Sequence, residues 1–159
     1  MQGKLIVIAG TNASGKSGLG VTLAKRYGGE VVSADSRQVF SRLDLGSGKI
    51  TPEEMQGVPH HLIDVCAPGD FFSMADFQRL AYQAIDDILA RGKLPFLVGG
   101  TGLYVAAVAD GYQLSDRAPD LDLRARLETL DTPALYAMLR EKLPETDIDP
   151  RNRNRVMRA

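Results

Sequence analysis

Several features that would assign this chain to other protein classes are scarce or missing from it. The 159 residues include one cysteine, Cys66, no tryptophan, five phenylalanines and five tyrosines. A single cysteine excludes an internal disulfide and suits a reducing compartment, so we expect a cytoplasmic protein. The N-terminal apolar run stops at Ala9, which is too short for a membrane span and lacks a signal-peptide cleavage pattern. The 19 basic and 20 acidic residues nearly cancel, so any nucleic-acid surface must be local.

What the chain does contain begins with a phosphate-binding pattern. Residues 10–17 read G-x-x-x-x-G-K-S and lie between an apolar run and a helical pattern, a context that predicts a P-loop. Its glycines allow backbone N–H groups to surround phosphate oxygens, and the helix N-terminus adds a positive dipole end. Lys16 would supply a mobile positive charge, and the Ser17 hydroxyl would be the protein ligand of Mg²⁺. The residues expected to bind the polyphosphate are Gly10, Thr11, Asn12, Ala13, Ser14, Gly15, Lys16 and Ser17.

Strand and helix patterns alternate through the first two thirds of the chain. The predicted strands are 4–9 (buried), 30–34, 61–65 and 95–98, and the predicted helices follow the P-loop, span 73–91 and begin near Leu103. This alternation predicts an α/β fold of the P-loop NTPase type, with a mostly parallel sheet and helices on both faces. Ligands of such sheets bind beyond the carboxyl ends of the strands, where Gly10, Asp35 and Gly99–Thr101 should converge.

The pattern changes after Gly111, because no further strand is visible from Asp116 to Pro150. Leucines at 123, 127 and 130 predict one short helix, and Thr132-Pro133 predicts the start of another. We therefore predict three parts: a P-loop catalytic core (1–111), a small helical insertion (112–150) and the start of a helix that returns to the core (151–159).

Four features each allow a functional and a structural interpretation. Asp35 ends the second strand, where a carboxylate can hold Mg²⁺ through water, act as a general base or cap a helix. Gly99–Gly102 offers backbone N–H groups and the Thr101 hydroxyl, or forms a plain turn. The tail 151–158 has four arginines and no acid, which suits phosphate and base contacts or a solvated helix face. His60-His61 could bind a metal, but neighbouring side chains of a strand point to opposite faces, which favours a structural role.

Taken together, these strings resemble the tRNA dimethylallyltransferase family, the isopentenyl-tRNA transferases. Order and spacing match the family from Leu5 to about Gly111, and more loosely to the end. The matching strings are residues 10–17, 33–40, 44–49, 57–64, 73–77 and 97–104.

The resemblance implies transfer of a dimethylallyl group from its diphosphate to N6 of an adenine next to the tRNA anticodon, with release of pyrophosphate. The P-loop would hold the donor diphosphate, and Lys16, Ser17 and Mg²⁺ would stabilise the leaving group. Asp35 matches the family's base-like aspartate, and Thr101 matches a threonine that approaches donor and substrate. The adenine must flip out of its stack to reach the donor. The implied partners are tRNA and dimethylallyl diphosphate, with no membrane, and we expect a monomer.

The resemblance also implies a set of tRNA contacts. Family members continue well beyond Ala159, so we expect this chain to be a fragment, and its tail departs from the family's usual Asn-Asp-Pro pattern. The implied tRNA-contacting residues are Asp35, Ser36, Arg37, Gln38, Thr101, Arg124, Arg151, Asn152, Arg153, Asn154 and Arg155.

Other functions remain open at this point. A P-loop nucleotide or metabolite kinase would bind ATP and transfer its γ-phosphate. An inactive fragment would bind phosphate or RNA without turnover. A close variant would prenylate free adenine nucleotides, but the string 60–64 and the basic tail favour tRNA.

Overall fold

The computed structural model of the protein describes residues 3–114 and 120–159. The chain divides into two compact units, residues 1–115 and 116–159. Part of the predicted helical insertion, residues 115–119, lies outside the described residues. No helix in the described ranges is long and apolar enough to cross a membrane.

The described part of the first unit contains one four-stranded sheet and five helices. Strand order is β1-β4-β2-β3, and every neighbouring pair is parallel. The strands are β1 (Ile6–Ala9), β2 (Glu30–Ser33), β3 (His60–His61) and β4 (Pro95–Gly99). The helices are α1 (Lys16–Tyr27), α2 (Asp44–Ser47), α3 (Pro52–Met55), α4 (Met74–Ala90) and α5 (Gly102–Ala109).

Helices cover both faces of this sheet because successive strand residues point in opposite directions. Val32 and Leu97 pack with the buried side chains of α4 and α5. Val31 and Phe96 pack on the other face with Val21 and Ala24 of α1. The predicted parallel α/β fold of the P-loop type, with helices on both faces, is therefore confirmed.

The burial predicted for the first strand is wrong. β1 pairs with β4 alone among the described strands, and Ile6 and Val7 are 37% and 41% exposed. An apolar run predicts a strand covered by neighbours, but it carries no information about the strand's place in the sheet. The prediction failed because strand order depends on contacts between distant segments.

The third strand is also shorter than the predicted span 61–65. Only His60 and His61 pair with β2. Leu62 and Asp64 have φ values of 64° and 58°, in the left-handed region that no strand uses. The turn buries the Leu62 side chain and lets the Asp64 backbone N–H bond the Gln38 carbonyl at 3.1 Å. These tertiary contacts outweigh the local preference of the segment for an extended chain.

Helix α4 follows its sequence pattern closely. Ser73 and Asp76 form a reciprocal capping box, and the apolar stripe that begins at Phe77 is buried. The Phe77 ring stacks on Tyr104 of α5 with ring centroids 3.9 Å apart. This contact ties the start of α4 to the start of α5 and so fixes both helices at the carboxyl end of the sheet.

The amino end of the sheet contains a buried carboxylate, Glu30, which is 1% exposed. Arg91 binds both of its oxygens, at 2.5 and 2.9 Å, while Lys93 lies at 2.7 Å and His61 at 2.8 Å. Hydrogen bonds from Arg91 lower the pKa of Glu30 well below its usual range, against the opposing effect of burial. Glu30 is therefore a carboxylate at neutral pH, and it joins the start of β2 to β3 and to the end of α4.

The second unit is helical in its described part, with α6 (Leu121–Glu128), α7 (Thr132–Lys142) and α8 (Arg153–Arg158). Its core is formed by Leu135, Leu139 and Val156, so α8 packs on α7. Asp131, one residue earlier than predicted, caps α7 through the Ala134 N–H. A helix returning to the core from 151–159 stays a prediction.

Candidate functional site

The loop between β1 and α1 has the backbone shape of an anion site. Ala13 and Gly15 adopt left-handed conformations, with φ values of 58° and 79°. Helix α1 begins at Lys16 and carries no acidic residue in its first turn, so its positive dipole end faces the loop uncompensated. Lys16 folds over the loop, where its ammonium donates to the Thr11 carbonyl and lies 3.4 Å from the Ser14 hydroxyl.

A cavity of about 550 Å³ opens in front of this loop. It has three walls: the P-loop, the carboxyl ends of β2 and β4, and residues of the crossover from β2 to β3, which includes α2. The P-loop wall comprises Asn12, Ala13, Ser14, Gly15, Lys16, Ser17 and Gly18. The strand-end wall comprises Val31, Ser33, Asp35, Val98, Gly99 and Gly100. The facing wall comprises Gln38, Gly46, Ser47, Gly48, Ile50 and His60.

Asp35 caps a turn and also lines the cavity. Its Oδ1 accepts hydrogen bonds from the backbone N–H groups of Arg37 and Gln38, at 2.8 and 3.3 Å. These bonds make it the cap of the turn after β2 and fix its orientation. The same carboxylate lines the cavity together with the P-loop, so it is also available to a ligand there.

Thr101 joins the ends of the two central strands. Its Oγ1 accepts a hydrogen bond from the Ser36 N–H at 2.9 Å and donates to the Ser36 hydroxyl at 3.2 Å. Its own N–H donates to the Ala34 carbonyl at 3.2 Å. Thr101 lies outside the set of residues that line the cavity, so its observed contacts hold the Ser36 turn in place. Its predicted approach to the donor stays a prediction.

The close approach of these strand ends depends on Gly99. A Cβ atom at this position would lie 2.1 Å from the Ala34 carbonyl oxygen, which is far inside contact distance. Only glycine allows the two backbones to pack at this separation. The Gly-Gly-Thr string therefore forms a strand junction, and Gly99 and Gly100 also line the cavity.

Gln38 is a cavity residue whose side chain is already engaged. It is buried, and its Nε2 donates to the Gly48 carbonyl at 3.2 Å. Arg37 is exposed, and neither it nor Ser36 is among the cavity-lining residues. Of the predicted string 35–38, the structure thus brings Asp35 and Gln38 to the cavity.

Apart from Gln38, the residues of the facing wall were not predicted as site residues from the sequence. Gly46, Ser47, Gly48 and Ile50 come from a stretch that reads as loop, and their proximity to the P-loop arises from the crossover to β3. His60 differs from its neighbour in its contacts: its Nδ1 bonds the Val58 carbonyl at 2.8 Å, and burial lowers its pKa. His61 instead binds Glu30, as expected for opposite faces of a strand.

The cavity offers oxygen ligands suited to Mg²⁺. The Ser17 hydroxyl and the Asp35 carboxylate both line it. Mg²⁺ keeps several waters and needs few protein ligands when a phosphate supplies the rest. The described residues contain no cluster of three or more histidine, cysteine or acidic side chains that could cage a metal by themselves. The donor set therefore fits a metal that enters with its phosphate ligand.

Two of the arginines predicted to contact tRNA lie in exposed ion pairs. Arg124 and Arg151 form ion pairs with Glu128 and Asp149, at 3.4 and 3.0 Å. Both pairs are exposed and contribute little to stability. These side chains can therefore exchange their acidic partners for a phosphate at small cost.

Arg153 has a different environment. Its guanidinium donates to the Glu128 carbonyl at 3.0 Å and lies 3.5 Å from the Leu127 carbonyl, so it caps the end of α6. Asn152 caps α8 through the Arg155 N–H at 3.1 Å. Asn154 and Arg155 are exposed. The predicted tRNA contacts of this tail thus include two residues that hold the unit together.

Comparison with protein families identifies the chain. A family model described as IPP transferase matches residues 38–159, which include the facing wall, β3, β4 and all of the second unit. The chain belongs to the IPP transferase family. The resemblance drawn from the sequence strings is confirmed.

Curated relatives carry one name. A tRNA dimethylallyltransferase of Roseiflexus sp. is 52% identical over 98% of this chain and 53% of its own length. That of Halalkalibacterium halodurans is 50% identical over 100% of this chain and 52% of its own length. The chain thus spans about half the length of the curated relatives it matches.

Solved structures agree. The full-length tRNA isopentenylpyrophosphate transferase of Bacillus halodurans is 50% identical, with a TM-score of 0.69, over 98% of this chain and 53% of that one. A eukaryotic dimethylallyltransferase acting on tRNA is 32% identical, with a TM-score of 0.84, over 98% of this chain and 40% of that one. The chain therefore shares its fold with members of the family that have been crystallised.

Proposed function

We propose that this chain carries the donor site of a tRNA dimethylallyltransferase. The observation that carries the proposal is the shared cavity of the P-loop and Asp35, in a chain about 50% identical to enzymes of that name. A phosphate site alone fits many nucleotide-binding proteins. A carboxylate placed across from it supplies what an amine nucleophile needs, a group that accepts a proton.

The chemistry assigns each group one role. The N6 nitrogen of the adenine forms a bond to C1 of the dimethylallyl group, while the bond from C1 to the diphosphate oxygen breaks and its electron pair leaves with pyrophosphate. Asp35 orients the amine and accepts the N6 proton. Lys16 and the N–H groups of the P-loop stabilise charge on the leaving diphosphate. Mg²⁺, held by Ser17, would add further positive charge beside that diphosphate.

Recognition of the RNA belongs to the same proposal. Ser36, Arg37, Gln38 and Thr101 surround Asp35 and would contact the target adenine and its neighbours. Phosphate contacts would come from Arg124, Arg151 and Arg155, whose guanidinium groups are exposed or in exposed ion pairs. Asn152, Arg153 and Asn154 lie between Arg151 and Arg155 in the sequence and belong to the same proposed tRNA-contacting segment.

The test combines binding and turnover. The chain is titrated calorimetrically with dimethylallyl diphosphate and Mg²⁺, then incubated with both and an anticodon stem-loop that contains the target adenine. Mass spectrometry of the RNA should show one dimethylallyl group in place of one hydrogen. The matched control is a stem-loop with inosine at that position, because inosine lacks the N6 amine and should gain no mass.

Two results would count against the proposal. Consumption of ATP with phosphoryl transfer and no prenyl transfer would indicate a kinase. A chain that binds neither dimethylallyl diphosphate nor inorganic pyrophosphate has no donor site. Donor binding without turnover, together with turnover by a full-length relative, supports a donor site that needs further chain for the reaction.

A further inference from the structure

The stretch Gly46–Gly48 of the facing wall has no apolar side chain of its own, and the next buried apolar side chain along the chain is that of Ile50. Helix α2 contains no buried residue, and the Leu45 side chain is fully exposed. Gly46 and Gly48 have no side chain with which to pack. Because Gly46–Gly48 contributes no apolar side chain, polar interactions hold this stretch, and three of them converge on Lys49.

Lys49 is a buried lysine with a full set of acceptors. Its side chain is 7% exposed, and its ammonium lies 2.9 Å from the Phe40 carbonyl, 2.7 Å from Asp44 and 2.5 Å from Asp64. An ammonium has three N–H donors, so these three partners satisfy it completely. Burial lowers the pKa of Lys49, but the hydrogen bonds and charges of Asp44 and Asp64 raise it by more. The net shift of the pKa is therefore upward, and the group stays charged at neutral pH.

The three acceptors belong to three different parts of the chain. Phe40 follows the turn after β2, Asp44 begins α2, and Asp64 follows β3. Two further hydrogen bonds join the same parts: the Asp64 N–H donates to the Gln38 carbonyl, and the Gln38 amide donates to the Gly48 carbonyl. Lys49 thus sits at the point where the wall segment is tied to the chain on both sides of it.

We propose that Lys49 is a positioning residue for the donor site. Its ammonium holds Gly46–Gly48 as a wall of the cavity and, through the Gly48 carbonyl, sets the orientation of the Gln38 amide. Lys49 does not line the cavity and makes no contact with the donor itself. The inference deepens the proposed function, because it names what holds the part of the donor site that faces the P-loop.

The experiment compares Lys49→Met with a matched control, Lys4→Met, which removes the same charge from an exposed lysine outside the cavity. Hydrogen exchange of residues 44–50 is measured in the absence of substrate. Calorimetry then measures the affinities for inorganic pyrophosphate and dimethylallyl diphosphate, each with Mg²⁺. We expect exchange of the segment to rise at least about tenfold in Lys49→Met and to stay at the native rate in Lys4→Met.

The two affinities should distinguish the contribution of the facing wall from that of the P-loop. Affinity for dimethylallyl diphosphate should fall about tenfold or more, because the wall no longer closes on it. Affinity for inorganic pyrophosphate should change less than about threefold, since the P-loop supplies most of its contacts. An equal loss for both ligands, or unchanged exchange at 44–50, would overturn the positioning role.

Asp64→Asn provides a second variant in case Lys49→Met fails to fold. Asparagine tolerates the left-handed backbone of residue 64 and keeps one acceptor oxygen, so this variant removes a charge without adding strain. Its exchange and affinity should lie between those of the native chain and Lys49→Met, and native values would overturn the proposal. If exchange rises while the native chain binds ATP and not the prenyl donor, the positioning role stands and the proposed function fails.

Discussion

The two ends of the parallel sheet treat charge in opposite ways. At the carboxyl ends of the strands, Lys16 and Asp35 line an open cavity and each retains capacity for a ligand. At the amino ends, Glu30 is buried and bound by Arg91, Lys93 and His61. The charges at the amino ends hold the fold, whereas those at the carboxyl ends remain available for chemistry, although both ends combine a carboxylate with a basic side chain.

The strongest predicted loss follows from a substitution at the cavity, which lies at the carboxyl end of the sheet. Asp35→Asn should lower the turnover of prenyl transfer by a factor of about 10² to 10⁴, because the amide cannot accept a proton. Donor binding should stay within about threefold of native, since the asparagine oxygen can still cap the turn. The measurement is single-turnover kinetics on the stem-loop beside calorimetry with the donor. Equal losses in turnover and donor affinity would exclude the base role.

A smaller loss, of stability, is expected from a substitution at the amino end of the sheet. Glu30→Gln should reduce the free energy of unfolding by about 2–3 kcal/mol, because Arg91 and Lys93 lose a buried partner. The loss stays below that of a wholly buried pair, since these two cations are 39% and 43% exposed and can regain water. Urea denaturation measures the change, and donor affinity should remain native. A drop in donor affinity at unchanged stability would contradict the assignment of Glu30 to the fold and not to the donor site.

Acid should reduce the stability that Glu30 contributes at the amino end of the sheet. The folded pKa of Glu30 is lowered, so its contribution to stability is complete above the unfolded pKa, about 4.3, and is lost as pH falls through the folded value. The stability gap between the native chain and Glu30→Gln should therefore narrow by about 1.5 kcal/mol between pH 5 and pH 3. Denaturation at a series of pH values measures the gap. A gap that widens in acid would contradict the ion-pair assignment.

The smallest predicted changes concern two arginines of the second unit, one expected to stabilise the unit and one expected to bind RNA. Arg153→Ala should destabilise that unit by about 1 kcal/mol, because carbonyls at the end of α6 lose a charged donor. Arg155→Ala should leave stability unchanged and weaken stem-loop binding, with a smaller salt dependence, since this exposed arginine is proposed to meet phosphate. Thermal unfolding and a salt series of binding measurements separate the two. Matching behaviour in both assays would show that the two arginines have one role.

Sequence patterns predicted the elements that depend on neighbouring residues. The P-loop, the capping box of Ser73 and Asp76, and the apolar stripe of α4 are all encoded within a few positions. The exposed edge of β1, the short β3 and the wall at Gly46–Gly48 depend on segments distant in the chain. Local sequence patterns do not specify the order of strands in a sheet or the hydrogen-bond partners of Thr101. Both therefore had to come from the structure.

The exposed edge of β1 also has a consequence for how the chain behaves in solution. In the described part of the chain, one side of this strand offers backbone hydrogen-bonding groups to water, beside the partly exposed Ile6 and Val7. An edge of this kind can template a strand from another molecule. We therefore expect β1 to limit the solubility of the chain, although it lies only a few residues before the loop that we propose binds the donor diphosphate.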